Sequence, residues 1–238
     1  MKTSKIHKKP PLKLVVISGA GMSAESGIAT FRGLGGIWEG KRIEDVATPE
    51  AFERDPCLVL EFYNERRRNV IAAKPNPGHI VIKSFEELFE VVILTQNVDD
   101  LHERAGSTHI LHIHGELMKA RSSSNPDYTI TISGPELNLG DMCPYGSQLR
   151  PDIVWFGEAV PMMESAIDVV SHADIVIIVG TSLQVYPAAS LIQHISAGVP
   201  IFLIDPNPPA LQLDNLEVLK MGAVEGLAHL LQRFTSAS

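Results

Sequence analysis

His114 is the residue in this sequence best suited to acid–base chemistry. It ends an alternating run at residues 109–114, which predicts a strand with His112 and His114 on one face. A near-neutral imidazole can take a proton from a substrate hydroxyl at physiological pH. The spacing also leaves a metal half-site or a packed histidine open, although no acidic or cysteine cluster nearby completes a metal site.

Asn97 and Asp99 are the next candidates for contact with a ligand. They follow a predicted buried strand at residues 91–95, a place where polar side chains of a parallel sheet can face a cleft. Asn and Asp also favour the N-terminal cap of a helix, so capping alone is the alternative.

Two small-residue turns follow predicted strands. The segment GAGMSA at residues 19–24 fits G-x-G-x-x-G/A, in which glycines allow a tight turn and let backbone N–H groups approach a pyrophosphate. The second turn is Gly180-Thr181-Ser182. The first motif alone is equally compatible with a turn that binds nothing, but two such turns facing one crevice favour a dinucleotide.

An α/β domain would bring these residues together. Residues 1–11 show no periodicity and are predicted to be a flexible tail, and the domain is expected to span residues 12–238. Apolar, β-branched runs predict strands buried on both faces of a parallel sheet at residues 12–18, 91–95, 173–180 and 200–205. Stretches with an early proline predict helices at residues 56–74, 77–89, 161–172 and 187–197. This alternation predicts a doubly wound, Rossmann-like sheet.

Two segments depart from the alternation of strands and helices. Residues 117–149 are interpreted as a small inserted module, because a turn at 122–126 and alternation at 128–133 indicate a hairpin. Residues 32–42 are glycine-rich, and a loop after a phosphate-binding turn often closes over a ligand.

Composition excludes several classes of function. The formal net charge of −8 disfavours a nucleic-acid partner, because phosphate backbones are bound by clustered Lys and Arg. No apolar run is long enough to span a bilayer, and the two cysteines form no CxxC pair.

Residues 34–38 are not strand-like, so the acidic strand end that a dehydrogenase needs is missing. We therefore expect a cytoplasmic monomer without nucleic-acid or membrane partners.

The segment GAGMSAESGIATFR at residues 19–32 closely resembles the opening motif of the sirtuins, the NAD-dependent protein deacylases. Four further segments resemble the family's later motifs in the same order: TQNVD at 95–99, HG at 114–115, VWFGE at 154–158 and GTSL at 180–183. The resemblance extends over nearly the whole chain. It implies a Rossmann-like core, NAD as a consumed co-substrate and acyl-lysine side chains as substrates.

The resemblance also implies residue roles. His114 matches the general base, and Asn97 and Asp99 match the positions that hold the nicotinamide carboxamide and the ribose. In the implied acyl transfer, the acyl oxygen attacks the ribose carbon as nicotinamide leaves, and His114 activates a ribose hydroxyl that captures the acyl carbon. The products are nicotinamide, free lysine and 2′-O-acyl-ADP-ribose. The expected NAD contacts are Gly19, Ala20, Gly21, Ser23, Phe31, Arg32, Gln96, Asn97, Asp99, Gly180, Thr181, Ser182, Asp205, Asn207 and Ala223.

The substrate peptide is expected to add a strand between residues 154–157 and residues 184–186, with Val154, Phe156 and Gly157 as contacts. A simple buried strand at 154–156 is the other interpretation, and the two are compatible.

Tyr63 and Arg66 are candidates for selecting the acyl group. They lie at i and i+3 on one face of a predicted helix. In the branch called class III sirtuins, a Tyr-x-x-Arg at this place binds succinyl or malonyl groups, and a guanidinium fork with a phenol suits a terminal carboxylate. The alternative is that residues 66–68 form only a solvated basic face.

The sequence departs from the family in the module. Most sirtuins bind a structural zinc there with four cysteines, but only Cys143 remains, and Ser122 stands roughly where the first would be. One thiolate cannot complete a tetrahedral site, so no zinc is expected. Apolar contacts should hold the module instead, and the candidates are Ile130, Ile132, Leu137 and Leu139.

Two other functions remain open. A sirtuin-fold mono-ADP-ribosyltransferase or NAD hydrolase would share every NAD contact, and a non-catalytic NAD or ADP-ribose sensor would tolerate loss of His114 or Asn97. Retention of both residues and of the peptide segment favours deacylation.

Overall fold

The computed structural model describes residues 10–30, 37–38, 40–213 and 215–236. The strands in chain order are β1 Lys13–Ser18, β2 Ile37–Trp38, β3 Lys41–Arg42, β4 Glu90–Thr95, β5 Ile110–His112, β6 Gly115–Ser122, β7 Thr129–Thr131, β8 Leu149–Ile153, β9 Ile175–Val179, β10 Ile201–Ile204 and β11 Leu216–Leu219. The α-helices are α1 Gly21–Ala24, α2 Ile43–Val46, α3 Pro49–Arg54, α4 Pro56–Ala72, α5 Pro77–Ser84, α6 Leu101–Arg104, α7 Met163–Ser171 and α8 Ala223–Ser236.

The main sheet is parallel, with the strand order β11-β10-β9-β1-β4-β5. From β1 the chain builds outward through β4 and β5 on one side, and later through β9, β10 and β11 on the other. The strand order therefore reverses at β1. In doubly wound sheets, ligands bind at the carboxyl ends of the strands at such a switch point.

Side chains of β1 alternate between two apolar clusters. Leu14 and Val16 join the cluster that contains residues of α5 and α8, whereas Val15 and Ile17 join the cluster that contains residues of α7. All four are fully buried. Both faces of the sheet are thus covered, which confirms the predicted doubly wound Rossmann-like architecture.

The helices that begin with proline are capped by the residue before it. Thr48 accepts a hydrogen bond from Ala51 N at 3.1 Å, Asp55 from Leu58 N at 3.0 Å, and Asn76 from Gly78 N at 2.9 Å. Proline at the first helical position has no N–H group to satisfy, and the capping side chain accepts the N–H of a later residue in the first turn. The predicted helix starts at Pro56 and Pro77 are therefore correct, whereas α3, which begins at Pro49, was not predicted.

The inserted module is a three-stranded antiparallel sheet, ordered β7-β6-β8. Its core contains Ile132, Leu137 and Cys143, and Ile130 packs against that core. Leu139 is 58% exposed, so its predicted core role is wrong: the side chain lies in the connection before β8 and faces outward.

Other sequence predictions differ from the structure. The helix expected at residues 187–197 is instead a 3₁₀ helix, Ala188–His194, and Ser190 N donates to Pro187 O three residues earlier. The helix expected at 77–89 ends at Ser84 and continues as a 3₁₀ turn. Residues 1–9 and most of the predicted 32–42 loop lie outside the described residues. In the described part of the chain, no helix is both long and apolar enough to cross a membrane.

Candidate functional site

The two small-residue turns meet at the carboxyl edge of the sheet. Gly19 N donates to Val179 O at 3.1 Å, and Gly21 N donates to Gly180 O at 2.8 Å. A Cβ on Gly21 would lie 2.7 Å from Gly180 Cα, and a Cβ on Gly180 would lie 2.2 Å from Met22 N. Glycine is required at both positions because the two backbones touch. The two turns are therefore packed against each other at the carboxyl edge of the sheet, beside the switch point.

A buried polar chain joins the ends of β1 and β4. Asn97 Nδ2 donates to Ser23 Oγ at 3.1 Å, and Ser23 Oγ donates to Asp99 Oδ2 at 2.9 Å. Asp99 Oδ1 also accepts Leu101 N at 3.1 Å, at the start of α6. Asp99 therefore bonds the first N–H of α6 from the position before the N-cap residue Asp100, whereas the Asn97 amide bonds Ser23. Three predicted site residues, all buried, are brought together at the switch point.

The environment of Asp99 opposes its charge. Burial raises the pKa of this carboxyl above its ordinary value, although the hydrogen bonds from Ser23 and from Leu101 N act in the opposite direction. Two donors already face the carboxylate, so a bound hydroxyl would add a third.

Gln96, just after β4, links the end of β9 to the ends of β1 and β4. Its Nε2 donates to Thr181 Oγ1 at 3.2 Å, and Thr181 Oγ1 also accepts Leu183 N at 3.2 Å. Ser182 lies between Thr181 and Leu183 in the sequence and is half-buried. The ends of β1, β4 and β9 are thus tied together by side chains at the expected NAD positions.

His114 lies in the turn between β5 and β6, beyond the end of the strand that was predicted to include it. Its Nδ1 is 3.2 Å from Gln96 O. A carbonyl oxygen can only accept, so Nδ1 carries the proton and Nε2 is the basic atom. Burial lowers the pKa of His114 and outweighs the carbonyl contact, which raises it. The ring is therefore neutral and basic at Nε2 near pH 7.

His112 has a different environment from its neighbour. Its Nδ1 is 3.2 Å from Asn97 O, and its Nε2 is 2.7 Å from Glu103 Oε1. Burial lowers the pKa of His112, but Glu103, together with Glu116 and the Asn97 carbonyl, outweighs burial and leaves that pKa raised. In the described part of the chain, no group of three or more His, Cys, Asp or Glu side chains could hold a metal ion.

Tyr63 and Arg66 are both buried on α4, with exposures of 0% and 5%. Tyr63 Oη accepts Trp155 Nε1 at 2.9 Å, and Arg66 Cζ lies 3.9 Å from the centre of the Phe62 ring. Burial raises the pKa of Tyr63 more than the Trp155 hydrogen bond and the Arg66 charge lower it. The phenol therefore keeps its proton at neutral pH.

The interpretation of residues 66–68 as a solvated basic face is wrong. Arg67 is fully buried, and its Nε donates to Leu117 O at 2.9 Å. Only Arg68 is exposed, where it pairs with Glu136 and Glu61. Arg66 and Arg67 are both buried, and Arg67 is buried where α4 packs against the inserted module.

The segment after β8 is a turn and not the predicted strand. Val154 N donates to His114 O at 3.0 Å, and Phe156 N donates to Ala47 O at 3.0 Å. Trp155 N donates to Glu158 Oε2 at 2.8 Å. A peptide strand that adds here would need main-chain groups other than these three N–H groups.

The residues expected at the adenine end lie around β10 and α8. Asp205 follows β10, and its Oδ1 accepts Asn207 N at 2.7 Å. Ala223 is the buried first residue of α8. Ala20 lies in the glycine turn and precedes α1. Phe31 and Arg32 lie outside the described residues.

The module has a serine network around Cys143, at the place where the resemblance to the sirtuins implies zinc ligands. Cys143 Sγ donates to Ser122 Oγ at 3.4 Å, and Ser122 Oγ accepts Ser124 N and Asn125 N at 3.3 and 3.2 Å. One thiol with hydroxyl and backbone donors does not fit the thiolate and imidazole set that tetrahedral zinc requires.

Sequence reasoning missed a buried polar pair behind the site. The rings of His79 and His102 lie 4.9 Å apart. His102 Nε2 is 3.1 Å from Ser18 Oγ, which donates to Thr95 Oγ1 at 3.0 Å, and Thr95 Oγ1 also accepts Asn97 N at 3.0 Å. The available signal was polar residues ending two otherwise apolar strands.

Comparisons with known proteins agree with this geometry. A model described as the Sir2 family matches residues 19–187. The chain is 52% identical over 225 residues to an NAD-dependent protein deacylase of Bacteroides thetaiotaomicron, covering 92% of this chain and 96% of that protein. It is 58% identical over 194 residues to an NAD-dependent protein deacylase of Aggregatibacter actinomycetemcomitans, covering 82% and 93%. A solved mutant Sir2 homologue in complex with ADP-ribose is similar with a TM-score of 0.87 and 39% identity, covering 94% of this chain and 92% of that one.

Proposed function

The chain belongs to the Sir2 family and is an NAD-dependent protein deacylase, and we propose that it removes succinyl and malonyl groups, and also acetyl groups, from protein lysine side chains. The proposed products are nicotinamide and 2′-O-acyl-ADP-ribose. The observation that carries the acidic preference is the buried pair of a protonated phenol and a guanidinium on one face of α4, at Tyr63 and Arg66.

The residues at the switch point fit NAD. Buried Asn97, Ser23 and Asp99 offer an amide, a hydroxyl and a carboxylate beside the glycine turns, which suits recognition of a ribose and a carboxamide. NAD, when bound, supplies the ribose to which the acyl group is transferred. The NAD contacts proposed from the sequence, including Asp205, Asn207, Ala223 and the undescribed Phe31 and Arg32, are retained.

His114 is proposed as the general base. The contact of its Nδ1 with Gln96 O fixes the proton there and leaves Nε2 as the acceptor. Its lowered pKa keeps the ring neutral at physiological pH, so the base is ready without prior deprotonation. A sensor of NAD would not need this arrangement.

The acidic acyl group is proposed to meet Tyr63 and Arg66. A buried guanidinium gains most from a carboxylate partner, because charge-assisted hydrogen bonds strengthen where water is excluded. The peptide carrying the lysine is proposed to contact Val154, Phe156 and Gly157. Cytoplasmic location, a monomeric state and the lack of nucleic-acid partners remain predictions.

Incubation with NAD and matched succinyl-, malonyl- and acetyl-lysine peptides tests the function. Mass spectrometry is expected to detect nicotinamide, free lysine peptide and 2′-O-acyl-ADP-ribose in equal amounts, with the acidic acyl groups turned over faster. ADP-ribosylated peptide would indicate a transferase, free ADP-ribose without deacylated peptide would indicate a hydrolase, and no turnover would indicate a sensor.

Replacing Tyr63 with Phe and Arg66 with Met together is expected to lower the succinyl-to-acetyl ratio of kcat/KM by about 100-fold. Loss of two hydrogen bonds to a carboxylate, at about 1.5–3 kcal/mol for the charged one, accounts for this size. Arg68→Met is the matched control, because Arg68 is exposed on the same helix and pairs with Glu136. An unchanged ratio in the double variant would contradict the acidic-acyl assignment.

We also propose that the inserted module holds no zinc. Elemental analysis of the purified protein is expected to find far less than one zinc per chain, and a chelator such as EDTA should leave activity and thermal stability unchanged. The serine network around Cys143 makes structural contacts that a metal makes elsewhere in the family. A zinc-dependent enzyme treated in parallel controls for chelation, and stoichiometric zinc would contradict this proposal.

A further inference from the structure

Trp155 lies directly against the hydroxyl group of Tyr63. Its indole Nε1 donates to Tyr63 Oη at 2.9 Å, and both side chains are buried, with exposures of 2% and 0%. An indole N–H can only donate. The Tyr63 oxygen must therefore accept this bond, and its own proton must go to a different acceptor.

The indole ring is held in place from several directions. Arg150 Cζ lies 3.3 Å from the centre of the Trp155 ring, and the Phe52 ring centre lies 5.4 Å away. Glu158 accepts Trp155 N at 2.8 Å and Arg150 Nη1 at 2.7 Å. One carboxylate thus fixes both the backbone of Trp155 and the guanidinium stacked on its ring.

Glu158 and Arg150 form an ion pair that holds Trp155 in place. Burial tends to raise the pKa of Glu158, but hydrogen bonds from Arg150 and from Trp155 N outweigh it and leave that pKa lowered. Arg121 Nη2 adds a further bond to Glu158 at 3.0 Å. The carboxylate stays charged at neutral pH, so the support under the indole persists throughout the working range.

We infer that Trp155 is a specificity-determining positioning residue, whose indole N–H orients the Tyr63 hydroxyl so that it donates its proton to the terminal carboxylate of an acidic acyl-lysine. The inference rests on the proposed acidic-acyl preference. Trp155 acts here through Tyr63, and its loss should weaken recognition of the carboxylate while sparing a neutral acyl group. Arg66, one helical turn from Tyr63, supplies the charge that the hydroxyl complements.

Trp155→Phe tests this inference, because it keeps an aromatic ring for Arg150 to stack on and removes the indole donor. We expect KM for a succinyl-lysine peptide to rise about fivefold, as for loss of one buried hydrogen bond, with kcat and the acetyl-lysine KM within about twofold. In a Tyr63→Phe background the same change should have no further effect on the succinyl-to-acetyl ratio. Phe52→Leu is the packing control, since it alters a contact of the indole and leaves its hydrogen bond intact.

Several results would overturn the inference. A ratio unchanged by Trp155→Phe, an equal loss for both peptides, or an effect that persists in the Tyr63→Phe background would each do so while leaving the proposed function standing. Unmodified enzyme without a succinyl preference would contradict the proposed function itself, and this inference with it.

A second measurement covers the case in which Trp155→Phe does not fold. The chain has two tryptophans, so Trp38→Phe assigns the indole N–H resonance of Trp155 by NMR. That resonance should shift more with a succinyl-lysine peptide than with an acetyl-lysine peptide, because donation by Tyr63 to a carboxylate polarises the bond it accepts. Equal shifts with both peptides would overturn the inference.

Discussion

Replacing His114 with Ala is expected to lower kcat for deacylation by about 10²–10⁴-fold, the range found when a general base is removed. The structure identifies Nε2 as the atom lost, because His114 Nδ1 is bonded to Gln96 O and only Nε2 is left to act. The measurement is the rate of formation of free lysine peptide at saturating NAD. Affinity for NAD and the far-UV circular dichroism spectrum should change little.

His109→Ala is the matched control, because His109 belongs to the same sequence run but is exposed. It should keep near-normal activity. In the unmodified enzyme, kcat/KM plotted against pH should decline on the acidic side only at pH values below 6.5. The reason is that burial lowers the pKa of His114 below its ordinary value of 6.5. Full activity in a correctly folded His114→Ala protein would remove His114 from the reaction.

Acidification is expected to destabilise the fold strongly between pH 7 and pH 5. Burial lowers the pKa of His79 from 6.5 to about 4 and that of His102 from 6.5 to about 3. As pH falls below 6.5, His79 and His102 become protonated in the unfolded chain but stay neutral in the folded chain. The free energy of unfolding therefore decreases. Each histidine should cost about 2 kcal/mol at pH 5, and together they should cost about 4 kcal/mol.

Urea unfolding at pH 7, 6 and 5 measures this loss. His112 acts in the opposite direction at higher pH: its raised pKa adds stability as pH falls through that raised value toward 6.5, and this gain no longer grows below pH 6.5. His102→Gln can still bond Ser18 but cannot be protonated, so it should flatten the decline by about half. His109→Gln, at an exposed site, should leave the decline unchanged. A decline that is the same in all three proteins would show that the buried pair is not its cause.

The strands and the glycine turns were predictable because their signals are local. A short apolar run identifies a buried strand, and a glycine pair identifies a tight turn, without knowledge of distant residues. The contact between Gly21 and Gly180 explains why both positions are glycine, and the sequence indicated only that each turn exists. The roles of the remaining site residues were inferred from the order of the motifs along the chain, and they stay predictions.

Features that depend on residues far apart in sequence were not predictable. Tyr63 and Trp155 are 92 positions apart, and neither has a local signal for their hydrogen bond. The turn after β8 has strand-like residues, but its backbone bonds go from Val154 N to His114 O and from Phe156 N to Ala47 O, which are distant in sequence. Burial of Arg67 likewise follows from packing of α4 on the module, which periodicity within the helix does not reveal.

The bond from Val154 N to His114 O has a consequence for how this enzyme can evolve. Gly115, next to His114, has a φ of +84°, and a Cβ there would lie 2.0 Å from Asp152 O. The proposed base is therefore joined on one side to Gln96, just after β4, and on the other to Val154, the first residue of the proposed peptide segment. If these assignments hold, a mutation that shifts the backbone of the proposed peptide segment also shifts the proposed base. We therefore expect new target proteins to be acquired through changes in side chains around the proposed peptide segment. The backbone at His114, Gly115 and Val154 should stay unchanged.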